Sequence, residues 1–225
     1  MEQFLPHTLS PGAKCVFIGA MNLGKTRLVQ HLLLTTRFRR IHVQTTDEHA
    51  AYGVLLENSS VEDEYNEAAL KRHLDANDCD AIILDDCLYD PTYVETDTFR
   101  RLMTQKSATV FVTMLFAMTL TEPIRRLFDY VFIFRETGTY AQERLFALYC
   151  SPAPFSTREA LAAALHEITE YPDDVREGAC LVIMHNRVMR YYVPKKYRPL
   201  IQDNVTTRRS APSESEASEI RHDQD

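Results

Sequence analysis

Residues 19–26 combine glycine, lysine and threonine at a spacing suited to holding a phosphate group. The segment has the pattern G-x-x-x-x-G-K-T and reads Gly19-Ala20-Met21-Asn22-Leu23-Gly24-Lys25-Thr26. A glycine at each end lets the backbone curl, so that successive N–H groups point at one phosphate. Lys25 would then reach the β- and γ-phosphates, and the Thr26 hydroxyl would ligate Mg²⁺. We therefore predict an ATP- and Mg²⁺-binding loop that continues into Arg27.

The segments on either side of this loop provide the context that phosphate binding requires. The apolar run Lys14–Gly19 predicts a buried strand, and leucine and valine recur at helical spacing in Leu23–Thr36. The positive end of that helix would add to the attraction for phosphate. The chain has six glycines, and two of them fall in this loop, which argues against a chance match.

Two acidic residues follow another apolar strand further along the chain. The strand is predicted over Asp80–Leu84, and Asp85 and Asp86 come directly after it. Because the C-terminal ends of parallel strands face the same crevice, both carboxylates would meet the phosphate loop. In an ATPase, Asp85 would hold Mg²⁺ and Asp86 would orient or deprotonate the attacking water. The alternative interpretation is an ordinary Asp-Asp turn.

A threonine and an arginine complete the candidate catalytic residues. Thr113 ends the predicted strand Thr109–Thr113, where it would sense the γ-phosphate or position water; the alternative is a buried threonine bonded to backbone. Arg125 and Arg126 lie on the predicted helix Thr121–Phe128. An arginine there could act as a finger on the γ-phosphate of a neighbouring subunit, or belong to a solvated helix face.

Strands and helices alternate along the chain as far as residue 134. The remaining strands and helices predicted in this part are Arg40–Gln44, Tyr65–Ala76, Thr96–Gln105 and Asp129–Phe134, and residues 45–63 are expected to form a polar loop. This alternation predicts an α/β fold with a mainly parallel central sheet flanked by helices. Two helices and a C-terminal β-hairpin at the sheet edge are predicted to follow, over Ala141–Cys150, Thr157–Ile168, Cys180–His185 and Val188–Val193.

Charge is distributed unevenly along the chain. The formal net charge is −7, which by itself argues against a nucleic-acid partner. Residues 187–209, however, carry seven basic side chains against the single acid Asp203; the seven are Arg187, Arg190, Lys195, Lys196, Arg198, Arg208 and Arg209. A Ser- and Glu-rich stretch typical of disorder follows. We predict an N-terminal arm over residues 1–11, a P-loop ATPase domain over 12–193, and a basic segment with a disordered tail over 194–225.

Composition excludes several classes of protein. The chain has 225 residues, of which 45% are hydrophobic and 25% charged, as expected for one soluble domain with appendages. Its apolar runs are too short to span a membrane, and the N-terminus lacks the pattern of a secretory signal. Five scattered cysteines without Cys-x-x-Cys spacing argue against a disulfide framework and against a zinc site.

Taken together, these features resemble the DNA-packaging ATPases of large double-stranded DNA viruses, the poxvirus-type branch of the FtsK–HerA group of P-loop ATPases. Besides the phosphate loop, the resemblance rests on Leu84-Asp85-Asp86-Cys87 and on Arg125 four residues before Asp129 in Asp-Tyr-Val-Phe-Ile-Phe-Arg-Glu. Cys180-Leu181-Val182-Ile183, followed by Arg190-Tyr191-Tyr192, resembles the family's C-terminal hairpin. The resemblance covers residues 12–193.

The resemblance implies a sheet with an additional strand and an ATP-hydrolysing homo-oligomeric ring that translocates double-stranded viral DNA into the capsid. It implies a capsid or portal-site protein as partner. It also implies a location in the infected host cell, at a cytoplasmic or nuclear site of virion assembly, or in the virion. Arg125, rather than Arg126, matches the family's arginine finger. Two positions depart from the family pattern, because Met114 and Leu127 stand where it usually has glutamine and asparagine.

Three other functions are compatible with the same motifs. They are a helicase, a small nucleotide or nucleoside kinase, and a degenerate ATPase acting as an assembly scaffold. Such kinases usually need an arginine-rich lid, whereas Arg158 stands nearly alone in residues 150–175. The intact Lys25, Thr26, Asp85 and Asp86 argue against a degenerate ATPase.

Overall fold

The described part of the chain forms a single sheet with helices on both faces. A computed structural model describes residues 1–46, 52, 59–116, 120–150, 154–169 and 179–194. Within these residues the sheet has nine strands in the order β1-β9-β8-β7-β2-β6-β5-β3-β4. The strands are β1 Glu2–Gln3, β2 Lys14–Ile18, β3 Ile41–Thr45, β4 Ser59–Glu62, β5 Ala81–Asp85, β6 Thr109–Met114, β7 Tyr130–Phe134, β8 Cys180–Met184 and β9 Arg187–Tyr191.

Helices connect most of the parallel strands. They are α1 Lys25–Thr36, α2 Glu67–Ala76, α3 Asp97–Thr104, α4 Glu122–Arg125, α5 Thr139–Leu145 and α6 Arg158–Thr169. Two of these helices have side-chain N-caps. The Asn66 side chain accepts from the N–H of Ala69 at the start of α2, and that of Thr96 accepts from the N–H of Phe99 at the start of α3. The predicted helix Ala141–Cys150 ends as a π-helical turn over Phe146–Cys150.

The central strands are parallel and buried, as their near-continuous apolar sequences predict. All five residues of β2, β5 and β7 are buried. β6 lies between the strand that leads into the phosphate loop and the strand that ends in the acid pair, which is the additional-strand arrangement. β8 runs antiparallel to both β7 and β9 and forms the C-terminal hairpin. The predicted α/β fold is therefore confirmed.

The two faces of the sheet bury separate apolar cores. On one face α1 packs against the sheet through side chains such as Leu28 and Leu32. On the other face the core includes side chains from α2, α3, α5 and α6, among them Leu70, Phe99 and Leu165. The sheet is therefore shielded from water on both sides, which holds the ends of its strands in fixed relative positions.

Both edges of the sheet differ from the sequence prediction. Within the polar stretch 45–63, Ser59–Glu62 is not loop but forms β4, parallel to β3. The polar sequence of β4 suits a half-exposed edge strand. Because such a strand needs no apolar run, the sequence pattern does not predict it. At the other edge, Glu2–Gln3 of the predicted N-terminal arm pairs with β9 and extends the sheet beyond the hairpin.

Phe4 fixes this N-terminal strand to the domain. Its side chain is fully buried and meets the rings of Tyr130, Phe132 and Tyr191 edge-on, with centroids 5.5–5.9 Å apart. Its N–H donates to the carbonyl of Arg190 at 2.9 Å. The basic residues from Lys195 onward and the Ser/Glu-rich tail lie outside the described residues. Among the described helices, none is long and apolar enough to cross a bilayer.

Candidate active site

The phosphate loop lies between β2 and α1, where the sequence predicts it. Gly24 adopts a φ of +92° immediately before the first helical residue, a conformation that favours glycine. Gly19 is required for a different reason, because a Cβ atom there would lie 2.6 Å from the Cβ of Phe134. The two glycines of the motif are thus explained by backbone conformation at one end and by close packing at the other.

Lys25 spans the loop and points toward the acid pair. Its side chain is only 4% exposed, although it is charged. The ammonium group donates to the carbonyl of Ala20 at 3.2 Å and lies 3.4 Å from Oδ2 of Asp86. The structure therefore brings the lysine of the phosphate loop together with the second acid of the pair.

Asp85 ends β5 and is 1% exposed. Three hydroxyl groups surround its carboxylate: those of Thr26 and Tyr52 donate to Oδ2 at 2.9 Å and 2.8 Å, and that of Thr113 lies 2.5 Å from Oδ1. Burial raises the pKa of Asp85 above its usual value, and hydrogen bonds from the three hydroxyls oppose that rise. The Thr26 hydroxyl and the Asp85 carboxylate are hard oxygen donors of the kind that Mg²⁺ prefers.

Asp86 turns away from the strand direction and faces the loop. Its φ is +51°, in the left-handed region that only a few non-glycine residues adopt. Its N–H donates to the Thr113 hydroxyl at 2.8 Å, and its Oδ1 lies 2.9 Å from the same oxygen. This backbone turn is what places the carboxylate beside Lys25.

Thr113 lies between the two acids. It is opposite Asp85 in the register of β5 and β6 and is 1% exposed. Because a hydroxyl has a single hydrogen, Thr113 donates to one of the two carboxylates at a time while accepting from the N–H of Asp86. The sequence predicts a sensor of the γ-phosphate at this position, and the structure gives its hydroxyl a contact with both acids.

Tyr52 is a site residue that the sequence analysis missed. Its side chain is 1% exposed and its hydroxyl contacts Asp85. The residue lies in the polar stretch 45–63, which the sequence predicts to be a loop. The available signal was that Tyr52 is the one aromatic residue of that stretch.

Arg125 lies on α4 and does not contact the phosphate loop of its own chain. Its guanidinium donates to the carbonyl of Leu120, and it lines a cavity of about 470 Å³ together with Asp129, Tyr149 and His185. No residue of the phosphate loop lines this cavity. The side chain of Arg126 is 77% exposed and pairs with Glu122 on the same helix.

An apolar cavity of about 350 Å³ adjoins the phosphate loop at Gly19. Phe116 and Tyr140 line it and are 72% and 70% exposed. Met21, on the phosphate loop itself, is 70% exposed. Large apolar side chains are thus exposed at the loop and at the cavity beside it, and such surfaces commonly mark interaction sites.

A viral protein is similar to this chain in sequence. No family model matches the chain. Uncharacterized protein 075L of Invertebrate iridescent virus 6 is 25% identical in an alignment of 160 positions, which covers 64% of this chain and 62% of that protein. The match thus spans less than two thirds of the relative's length.

Solved structures share the fold over most of the chain. The genome packaging NTPase B204 of Sulfolobus turreted icosahedral virus 2, in complex with ATP-γS, has a TM-score of 0.56 at 11% identity, over 83% of this chain and 99% of that one. The DNA-packaging ATPase B204 of Sulfolobus turreted icosahedral virus has a TM-score of 0.57 at 10% identity, with the same coverage. The fold is that of the B204 packaging ATPases. The resemblance to packaging ATPases, which the sequence motifs indicate, is therefore confirmed at the level of the fold.

A bacterial protein with ATPase domains, EssC, shares the fold as well. ATPases 2 and 3 of EssC from Geobacillus thermodenitrificans have a TM-score of 0.53 at 11% identity, over 90% of this chain and 45% of that one. A shared fold does not specify function, so the assignment of function has to rest on the site and its surroundings.

Replacing Tyr52 with Phe tests whether its hydroxyl holds Asp85 in the ionised state. The hydrogen bond from Tyr52 lowers the pKa of Asp85, so its loss raises that pKa further. We expect Mg²⁺-dependent nucleotide binding to weaken roughly 2- to 10-fold, the value of one hydrogen bond. The pH at which this binding is half lost on acidification should move upward, as measured with a fluorescent ATP analogue.

Tyr89→Phe is the matched control, because Tyr89 is 64% exposed and its hydroxyl contacts Tyr93 rather than an acid. It should leave both the affinity and the pH profile unchanged. An unaltered pH profile in Tyr52→Phe would contradict the role given to Tyr52.

Proposed function

We propose that this protein is an ATP-hydrolysing motor that works as a homo-oligomeric ring and translocates double-stranded viral DNA into a capsid. The observation that carries the proposal is the contact at 2.9 Å between Thr26 of the phosphate loop and Asp85 at the end of β5. It joins the two halves of a Mg²⁺–nucleotide site that lie far apart in the sequence. The B204 fold and the viral relative support packaging as the purpose of the motor.

Each site residue has a distinct part in the proposed hydrolysis. Lys25 holds the β- and γ-phosphates, and Thr26 and Asp85 are the protein ligands of Mg²⁺. Bound there, Mg²⁺ would neutralise charge on the phosphate oxygens. Asp86 orients the attacking water and accepts its proton. The water oxygen bonds to the γ-phosphorus as the bond from that phosphorus to the β–γ bridging oxygen breaks, which releases phosphate and ADP. Thr113 keeps both carboxylates in place.

Variants of the acid pair separate metal binding from water activation. Asp86→Asn should bind Mg²⁺–ATP almost normally and hydrolyse it slowly, because the amide cannot accept the proton. Asp85→Asn should also lose metal-dependent binding, and Lys25→Ala should lose affinity and turnover together while remaining folded. The measurements are ATP hydrolysis and nucleotide affinity with and without Mg²⁺.

Conservative changes elsewhere in the chain serve as controls for this comparison. Asp97→Asn alters an exposed acid at the start of α3 and should have no effect on either measurement. Equal Mg²⁺ affinity and full activity in both acid-pair variants would show that neither carboxylate has its proposed role. Phosphoryl transfer to a nucleoside, in place of hydrolysis, would favour the kinase alternative.

In the proposed ring, an arginine of one subunit reaches the nucleotide bound to the next subunit. Arg125 lines a cavity that contains no phosphate-loop residue, so we propose that it acts on the nucleotide of the neighbouring subunit. The exposed side chains of Met21, Phe116 and Tyr140 at or beside the loop suit a subunit contact at the nucleotide site. A capsid or portal-site protein would dock this ring in the infected cell.

Mixing two inactive variants tests whether Arg125 acts between subunits. Arg125→Ala should bind ATP but hydrolyse it about 10³-fold more slowly, which is the loss expected when an arginine finger is removed. Mixing it with Lys25→Ala subunits should restore part of the activity, because some interfaces then join an intact Arg125 to an intact phosphate loop. Hydrolysis is measured as a function of the mixing ratio.

Arg126→Ala is the matched control, since this neighbouring arginine is exposed and paired within its own helix. It should hydrolyse ATP almost normally. Absence of recovery in mixed rings whose formation is demonstrated, or a larger loss in Arg126→Ala, would show that Arg125 does not act in trans.

The basic stretch from Arg187 to Arg209 is the proposed contact with duplex DNA. The described residues Arg187 and Arg190 are paired with Glu2 and Glu167. The basic side chains from Lys195 to Arg209 lie beyond the described part, so their role rests on charge alone. An alternative contact is the group Arg37, Arg39 and Arg40, which precedes β3.

Removing three of these charges tests the DNA contact. Replacing Lys195, Lys196 and Arg198 with Ala should weaken duplex binding without sequence preference. It should flatten the slope of log affinity against log salt by up to about three units, because each phosphate contact releases roughly one counterion. The control variant replaces Lys71, Arg72 and Lys106 with Ala. These three residues are exposed and lie outside the basic stretch. An unchanged slope would place the contact elsewhere.

A further inference from the structure

A second cluster of chemically versatile side chains lies at the opposite end of β5 from the acid pair. His73 is near the end of α2, and Asp78 and Cys79 lie in the turn that leads into β5. β5, which runs for about 13 Å from Ala81 to Asp85 at roughly 3.3 Å per residue, separates this cluster from the acid pair. The proposed hydrolysis does not use these residues.

We propose that His73, Asp78 and Cys79 form a binding site for one divalent transition metal ion of the zinc class. The three ligand atoms already lie together: Nδ1 of His73 is 2.9 Å from Oδ1 of Asp78, and Sγ of Cys79 is 3.5 Å from Nδ1 and 3.3 Å from Oδ1. Among the described residues, this is the one group of three or more such side chains gathered closely enough to hold an ion.

These separations are close to those of a tetrahedral zinc site. Bonds of 2.0–2.3 Å at tetrahedral angles place pairs of ligand atoms roughly 3.3–3.7 Å apart. The pairs that involve sulfur fall in this range, and the nitrogen–oxygen pair needs to open by a few tenths of an ångström. The mixture of sulfur, nitrogen and oxygen favours zinc-class ions over Mg²⁺ and Ca²⁺.

Burial leaves one side of the cluster open for a fourth ligand. Cys79 is 8% exposed, whereas the side chains of His73 and Asp78 are 22% and 45% exposed. Water can therefore complete the coordination on the side of Asp78, and an ion can reach the site from that side. This is the arrangement of three protein ligands with one open position.

A hydrogen-bonded network behind His73 fixes the orientation of its ring. The N–H of Asn66 donates to Oε1 of Gln44, so the Gln44 amide nitrogen is the group that faces Nε2 of His42, at 3.0 Å. Nε2 of His42 must then accept, and its Nδ1–H donates to the Ser60 hydroxyl at 2.8 Å.

Ser60 continues the network to the proposed ligand. Its oxygen lies 3.4 Å from Nε2 of His73, on the side of the ring opposite the cluster. When Nδ1 binds an ion, the ring proton moves to Nε2 and is donated to Ser60. Partners of this kind, which hold the second nitrogen of a ligating histidine, are typical of zinc sites.

Binding exchanges protons for the ion. The Cys79 thiol donates to Oδ1 of Asp78 at 3.3 Å and has to lose its proton to bind an ion. Formation of the metal–sulfur bond releases that proton to solvent. Affinity should therefore increase with pH. Once bound, the ion would tie the end of α2 to the start of β5.

Titration of the full-length chain with Co²⁺ tests this site directly. After treatment with a chelator, one Co²⁺ per chain should produce a thiolate-to-metal charge-transfer band and the intense visible bands of tetrahedral cobalt, and Zn²⁺ should remove both. Cys79→Ser should abolish the charge-transfer band, and His73→Gln should weaken binding. Ser60→Ala should reduce the affinity for Co²⁺ 10- to 100-fold, the usual effect of removing the hydrogen-bond partner of a ligating histidine.

Two control variants and a stability measurement keep the test decisive. Cys150→Ser and His166→Gln alter residues that lie elsewhere, in the turn after α5 and on α6, and should leave the spectrum unchanged. Zn²⁺ should raise the melting temperature of the wild type but not that of folded Cys79→Ser. A charge-transfer band that persists in Cys79→Ser, or the absence of any such band in the wild type with excess Co²⁺, would overturn the proposal.

Discussion

The buried carboxylate of Asp85 is the group on which the rest of the site depends. A carboxylate that is 1% exposed is costly to keep ionised unless hydrogen-bond donors replace the lost water. Here hydroxyls from the start of α1, from Tyr52 and from β6 take that place. Because these donors come from three separate segments, one side chain fixes the phosphate loop and the neighbouring strand relative to each other.

The parallel sheet makes this convergence possible. Threonine and aspartate meet because Thr113 pairs with Asp85 in the register of adjacent strands. A shift of one residue would turn either side chain to the opposite face of the sheet. The left-handed turn at Asp86 then directs the second carboxylate toward Lys25. Such a conformation costs roughly 1–3 kcal/mol and is held by the surrounding contacts, as is common at functional sites.

The same strand carries a different kind of chemistry at its other end. Acid and hydroxyl groups at the carboxyl end suit Mg²⁺ and phosphate, whereas the thiol and imidazole at the amino end suit a softer ion. Buried polar residues on β3, His42 and Gln44, are fully bonded within a network that reaches His73. Both ends of β5 therefore lie in polar surroundings, while its interior is apolar.

Much of the architecture could be predicted from local patterns. The phosphate loop, the acid pair and the alternation of strands and helices all depend on residues close in sequence, so their signals are visible in the sequence. The edge strand Ser59–Glu62 could not be found in this way, because an exposed edge does not need an apolar run. The N-terminal strand is too short for any pattern and is held by Phe4 in a ring cluster formed from distant segments.

Which side chains contact each other was determined by the tertiary structure. Sequence motifs identify Asp85 as an acid at a strand end, but only the folded chain brings Tyr52 to it from a stretch without a recognisable motif. The same holds for His73, Asp78 and Cys79, which lack Cys-x-x-Cys spacing and whose ligand atoms meet because a left-handed turn at Asn77 ends α2. Local sequence determined which elements form and which residues can react. Packing and register, which sum many weak contacts between distant residues, determined which of those residues touch.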